Sequence, residues 1–406
     1  MAKILKFPPG FLWGVSTSAY QIEGGIDNDW SEWERTEVRR KKLKEENKNL
    51  SDFICGQACD SYNKYEEDLD LVKGLNCGAY RMGLEWARLE PEQGKFDQAE
   101  IKHYRQVLAA ANKRNLKVVL TLWHWTNPLW LTAQGGWANN QAIEYFARYV
   151  ELAARELGEY VDYWVTINEP MVYIANGYLT AKFPPNKKNI FQAWRVCQNL
   201  VKAHRAGYGI IHEKIPAAKI GLTMLTNYFE PAHKGNLVEV FSAKLADHCW
   251  NDRFVKKLKN KFDFLGLDYY FHDRLAWYPP FRKNLNKEVT DMGWEIYPAG
   301  IYQVLKNYAK FKKPLFIMEN GLADQGDKKR VKFITGHLQY VHQAISEGVD
   351  ARGYFYWSLI DNFEWAHGFK PKFGLYVVDR KTFARLPRPS ARIYSEICKN
   401  NQVRVE

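Results

Sequence analysis

The chain has 406 residues, 46% of them hydrophobic and 26% charged, with a mean hydropathy of −0.47, a balance that supplies a large core and excludes an intrinsically disordered chain. A net charge of +12 admits an anionic partner. However, the basic residues fall in short scattered runs (39–44, 256–261, 310–313, 328–330) beside acidic or apolar neighbours, the pattern of a solvated surface, and no nucleic-acid partner is expected.

No run reaches 18 uninterrupted apolar residues and the opening MAKILKFPPGFLWG lacks a charged-then-apolar leader, so a cytoplasmic, non-membrane protein is expected. The six cysteines form no CxxC pair, which suits reduced, buried thiols better than a zinc site or a disulfide framework. The aromatic content is 15%, with 15 Trp; this points either to a large aromatic core or to flat surfaces for stacked ligands such as sugar rings or bases.

In chain order, eight runs rich in Val, Ile, Leu, Thr and aromatics predict strands at 11–19, 79–87, 117–125, 163–169, 219–225, 262–270, 314–320 and 353–361. Such continuous apolarity marks strands buried on both faces, as in a parallel sheet. Helical patterns lie between them. Asp97 and Glu100 form a capping-box pattern ahead of Ile101, Tyr104, Val107, Leu108 and Ala111; a second helix runs from Asn140 to Leu157 with Gly158 as its stop; a third carries Val331, Ile334, Leu338, Val341 and Ile345 ahead of Gly348. Eight strand–helix alternations without a linker predict a single (β/α)8 TIM barrel over residues 1–406, with its active site at the C-terminal ends of the strands. The stretches 26–58 and 271–300 are the least barrel-like and are expected as long loops on that face.

Those strand ends are polar and aromatic together: Gln21 and Glu23, His124 and Trp125, Asn168 and Glu169, Asp268 and Tyr270, Glu319 and Asn320, then Trp357, Glu364 and Trp365. Glu169 and Glu319 stand in similar contexts, each closing an apolar run and preceding a turn residue. Two carboxylates across one pocket suit acid and nucleophile work on a glycosidic bond, or metal binding; the lack of HExxH or a close His/Asp cluster disfavours the metal. Two satisfied structural acids are the third reading.

The segments FLWGVSTSAYQIEGG (11–25), YRMGLEWARLEPEQGKFD (80–97), TINEP (166–170), IMENG (317–321) and YWSLIDNFEWAHGFKPKFGLYVVD (356–379) closely resemble glycoside hydrolase family 1, the β-glucosidase and β-galactosidase group, in collinear order over nearly the whole chain. The resemblance implies a retaining exo-β-glycosidase acting on terminal glucosyl, and also galactosyl or fucosyl, units of a small β-glycoside or oligosaccharide, with no metal or organic cofactor. It implies Glu169 as acid/base and Glu319 as nucleophile, supported by Arg81 and Tyr270. The glycone-binding set it implies is Gln21, His124, Trp125, Asn168, Trp357, Glu364 and Trp365. A weakly active sugar-binding scaffold or a transglycosidase is the alternative, and a homo-oligomer is compatible with either.

The chain departs from the family pattern in places. Asp268 stands where Asn is common, bringing a third carboxyl near the pair that is expected to raise a neighbour's pKa or narrow the pH range. Met318 replaces a common Thr, expected as a packing change. Thr126 and Asn127 interrupt the usual run after Trp125, and Met171 follows the NEP motif where many members have Trp on the aglycone side. Glu364 predicts unphosphorylated glycones, because a carboxylate repels a 6-phosphate. The basic stretch 34–50 is expected as a solvated helix, part of the pocket rim or an oligomer contact.

Overall fold

The structure, a computed structural model, describes residues 3–283 and 285–405. Eight parallel strands close into a barrel in sequential order: β1 (Leu12–Ser16), β2 (Ala79–Gly83), β3 (Lys117–Thr121), β4 (Tyr163–Asn168), β5 (Lys219–Pro231), β6 (Leu265–Leu275), β7 (Leu315–Asn320) and β8 (Ala351–Trp357). Each predicted strand corresponds to one of these. All of β2 and β7 is buried, because side chains pointing inward fill the barrel and those pointing outward meet the helical layer. Ala79, Val119, Val165, Phe264, Phe316, Met318 and Phe355 pack together as one cluster, so Met318 is indeed a packing residue.

The three helices read from the sequence form over Gln98–Lys113, Ala142–Leu157 and Arg330–Ser346. Only half of the expected capping box exists. Asp97 accepts from the backbone N–H groups of Ala99 (2.8 Å) and Glu100 (3.2 Å), but the Glu100 carboxylate accepts instead from the Tyr62 hydroxyl and faces Arg88.

Two strands run longer than the sequence suggests. β5 and β6 have 13 and 11 residues, and beyond Thr223 and Asp268, where their pairing with β4 and β7 ends, they pair only with each other, out to Pro231 and Leu275. This two-stranded extension rises from the face where the strand C-termini converge. Stretch 26–58 is not a bare loop: it folds into helices Asp29–Glu34 and Glu37–Glu45 and a 3-10 turn at Leu50–Phe53. Among the described residues no helix is long and apolar enough to cross a membrane.

Candidate active site

The strand ends are locally irregular where the candidate residues emerge. Register shifts interrupt β4/β5 between Val165 and Asn168, β6/β7 between Leu267 and Asp268, and β7/β8 between Ile317 and Asn320. Such bulges re-aim side chains. Trp125, Glu169 and Trp365 occupy the left-handed region, with φ of 73°, 42° and 49°, a conformation that costs a non-glycine residue free energy and clusters at functional sites. The loop carrying Trp125 is held by the two residues that broke the expected pattern: Thr126 donates to Glu85 (2.9 Å) and Asn127 to Asp29 (2.7 Å).

A cavity of about 560 Å³ opens here, lined by His124, Trp125, Glu169, Tyr270, Glu319, Trp357, Glu364 and Trp365 among others. A larger surface groove of about 700 Å³, bounded by residues such as Thr132, Asn139 and Arg195, contains none of the candidates. The three remaining candidates, Gln21, Arg81 and Asn168, are completely buried behind the lining. Arg81 ties the centre together, pairing with Glu319 and with the Asn168 Oδ1. Tyr270 donates to the other oxygen of Glu319 at 3.0 Å.

These contacts orient the rest. Asn168 Oδ1 accepts from Arg81 and from the Thr223 hydroxyl (2.5 Å), so its Nδ2 is the donor toward His124 Nε2, 3.0 Å away. A neutral His124 accepting there carries its proton on Nδ1, and that nitrogen has no partner among the described residues. Gln21 spends its Nε2 on Asn362 and Phe363 (3.1 and 2.8 Å), which leaves its Oε1 unpaired, as are Glu169 Oε1 and Glu364 Oε2. Buried polar atoms are normally paired. The orphans of His124, Glu169 and Glu364 lie on residues of the cavity wall and that of Gln21 behind it, groups with which a ligand rich in hydroxyl groups could pair. Trp365 closes the wall, stacking on Tyr20 and His124 and tilting against Trp30 and Trp125.

Glu169, Asp268 and Glu319 each bring a carboxylate oxygen within 4.8 Å of the others. Burial pushes all three above the usual carboxylate range. Glu169 is pushed well above it by burial first, then by the charges of Asp268 and Glu319, with Arg81 opposing. For Glu319, the Arg81 guanidinium and the Tyr270 hydroxyl oppose the burial. The two glutamates therefore differ in environment in the sense an acid and a nucleophile require. Among the described residues this is the one acidic group spaced closely enough for a cation, but the paired Arg81 already sets a positive charge beside it. Burial and the Glu319 charge push Glu364 up to about 8, and burial drives His124 well below its usual value.

Arg81→Met is expected to destabilise the fold by about 3–5 kcal/mol, because it strands buried charge on Glu319, read as a lower denaturant midpoint at neutral pH; unchanged stability would mean that Glu319 is not ionised there.

Two strand-end residues do not join the site. Glu23 pairs with Arg88 (2.9 Å) and Tyr104 (3.0 Å), and Asn320 bridges Tyr269 and Tyr354. Met171 packs against the core and Val172 lines the cavity instead. Sequence reasoning missed Thr223, and also Phe271, Trp294 and Phe373, the aromatic rings that surround Tyr270. Stretch 34–50 does reach the rim through Arg39, Lys42, Glu46 and Lys48.

Residues 4–260 and 251–403 match the family model described as Glycosyl hydrolase family 1. A 1,4-beta-D-glucan glucohydrolase of Thermotoga neapolitana is 34% identical over 98% of this chain and 99% of its own. A beta-glycosidase structure from Pyrococcus horikoshii is 37% identical with a TM-score of 0.89, covering 99% of this chain and 96% of that one. A Thermotoga maritima family 1 b-glucosidase in complex with isofagomine lactam is 31% identical with a TM-score of 0.91, covering 99% of this chain and all of that one.

Proposed function

Because the chain belongs to glycosyl hydrolase family 1 and is a glycoside hydrolase, we propose that residues 1–406 form a single catalytic domain, a retaining exo-β-glycosidase releasing terminal β-D-glucosyl units, with galactosyl and fucosyl units as further substrates. The observation that carries this reading is the spacing of Glu169 and Glu319, with oxygens within 4.8 Å. Retaining enzymes hold their two carboxyl groups about 5–5.5 Å apart, against about 6.5–9.5 Å for inverting ones.

Glu319, ionised against Arg81 and Tyr270, attacks the anomeric carbon. Glu169, protonated, delivers its proton to the departing oxygen. The product of this step is a glycosyl ester on Glu319, whose negative charge is thereby lost. With that charge gone, Glu169 stays in the carboxylate form left by its proton transfer and takes a proton from the incoming water, which cleaves the ester with a second inversion. His124 Nδ1–H, Gln21 Oε1 and Glu364 supply partners for the glycone hydroxyls, and Trp357 offers an apolar face to the ring. Asn168, fixed by Arg81 and Thr223, is directed to the 2-hydroxyl, where contacts strengthen in the transition state.

The test is a panel of chromogenic β-glucoside, β-galactoside, β-fucoside and β-mannoside, followed by NMR of the first-formed anomer. Retention with the highest kcat/KM on the glucoside, galactoside or fucoside is expected; an α-configured first product would sink the retaining mechanism. A 6-phospho-β-glucoside is expected to be turned over at least about 100-fold less efficiently than the unphosphorylated sugar, since Glu364 presents a carboxyl group, not a cation, to the phosphate.

Activity is expected only in the pH interval where Glu319 has lost its proton and Glu169 has kept its own. Both groups are raised, Glu169 further. Activity therefore rises as pH climbs through the Glu319 ionisation and is lost as it climbs through that of Glu169. Initial-rate profiles on an alkyl glucoside check this; an acidic limb below the ordinary carboxylate range of about 4 would contradict it.

A further inference from the structure

Asp268 is completely buried where β6 leaves the barrel, it bears neither of the roles assigned above, and its two oxygens make no hydrogen bond of regular geometry but face the Glu169 carboxyl and the Thr223 hydroxyl. We propose that Asp268 is a positioning residue that shares a proton with Glu169, so that the two carboxyl groups titrate as a pair beside the glycone. The inference rests on the reading of Glu169 as the acid.

The groups facing Asp268 come from several elements. Glu169 follows β4 and Glu319 ends β7, each with an oxygen within 4.8 Å of it. Arg81 on β2 is the cation of the group, Tyr270 stands two residues further along β6, Tyr308 ends the helix Ala299–Tyr308, and Thr223 on β5 offers a hydroxyl that is already donated to Asn168. Three carboxyl groups thus meet one guanidinium. Once Glu319 is ionised against Arg81, a negative charge on both Glu169 and Asp268 has no compensation in a buried site, so the pair retains at least one proton through the working range. Glu169 Oε1 and both oxygens of Asp268 lie outside any hydrogen bond of regular geometry, and the two carboxyl groups face each other, so a hydrogen shared between them would satisfy otherwise stranded acceptors.

The consequence for the reaction is specific to an acid at this position. A protonated Asp268 offers one donor and one acceptor, as the asparagine usual in the family does. When Glu169 gives its proton to the leaving oxygen and the glycosidic bond breaks, the Asp268 O–H is left to donate to the new Glu169 carboxylate. At higher pH Asp268 does what asparagine cannot: it loses its proton and, as a carboxylate, opposes the loss of the one on Glu169. The basic limb of the pH profile then falls in two steps, the second displaced upward.

The test compares wild type with Asp268→Asn on phenyl β-glucoside, which needs acid assistance, and on 2,4-dinitrophenyl β-glucoside, which does not. On the phenyl glucoside, the basic limb of kcat/KM for D268N is expected to fall in a single step, at least about one pH unit below the final descent of the wild type. On the dinitrophenyl glucoside the two profiles are expected to coincide. Superimposable profiles on the phenyl glucoside would overturn the proposal, and so would an equal displacement on both substrates, which would locate the effect on Glu319. If D268N does not accumulate, infrared titration of the wild type with 13C-labelled aspartate serves instead, read as the difference between free enzyme and enzyme esterified on Glu319 by a 2-deoxy-2-fluoroglucoside so that aspartates remote from Glu319 cancel. A protonated Asp band in that difference persisting above about pH 6 is expected, well beyond the ordinary range, and its loss by about pH 5 would overturn the proposal. Glu169→Gln on the phenyl glucoside separates the two readings. Full activity in E169Q removes the acid assignment itself, whereas an inactive E169Q with an unchanged D268N profile removes only the shared proton.

Discussion

Glu319→Ala is expected to lower kcat by at least about 10⁴-fold on every β-glycoside, whatever the leaving group. The reason is geometric. Arg81 and Tyr270 both direct their donors to the Glu319 carboxylate, and no other carboxylate of the site has that pair of partners; burial and the Glu319 charge push Glu364 up to about 8, which disfavours it as the attacking anion. The alanine leaves a gap beside the anomeric carbon while Glu169 and the sugar contacts remain. Azide should enter that gap and restore turnover on activated substrates, giving a glycosyl azide of inverted configuration, because one displacement has replaced two. Appreciable activity without azide, or an azide product of retained configuration, would assign the attack elsewhere.

Glu169→Ala is expected to divide the substrates by leaving group. Proton transfer to the departing oxygen is worth about 10²–10⁴-fold, so an alkyl or phenyl glucoside should lose that much kcat/KM, while a dinitrophenyl glucoside, whose leaving group departs as a stable anion, should lose little in the first step. The second step still lacks its base, so glycosyl-enzyme should accumulate and appear as a burst, with kcat and KM falling together. A uniform loss across leaving groups would mean that Glu169 positions substrate rather than moving a proton.

The barrel was legible because strands buried on both faces read as unbroken apolar runs, and all eight were of that kind. Glu169 and Glu319 were legible as paired strand-end acids, although their separate roles came only with the family resemblance. What stayed hidden is what periodicity does not encode. The left-handed backbone at Trp125, Glu169 and Trp365 is imposed by tertiary contacts on residues that do not favour it. Thr223 looked like an ordinary strand threonine, and its hydroxyl matters because a register shift brings Asn168 beside it. The extension of β5 and β6 was missed because outside the barrel its residues are partly half-buried, and polar residues such as Asn227, Glu230, Asp273 and Arg274 break the continuous apolar pattern. Trp294 and Phe373 reach Tyr270 from loops, where spacing in sequence says nothing about direction in space.

Trapping the glycosyl-enzyme tests the central claim most directly. Incubation with 2,4-dinitrophenyl 2-deoxy-2-fluoro-β-glucoside, followed by proteolysis and mass spectrometry, should find one sugar per chain, esterified to Glu319 in the peptide containing IMENG. A label on Glu169, Asp268 or Glu364, or turnover with no covalent adduct, would contradict the double displacement through Glu319.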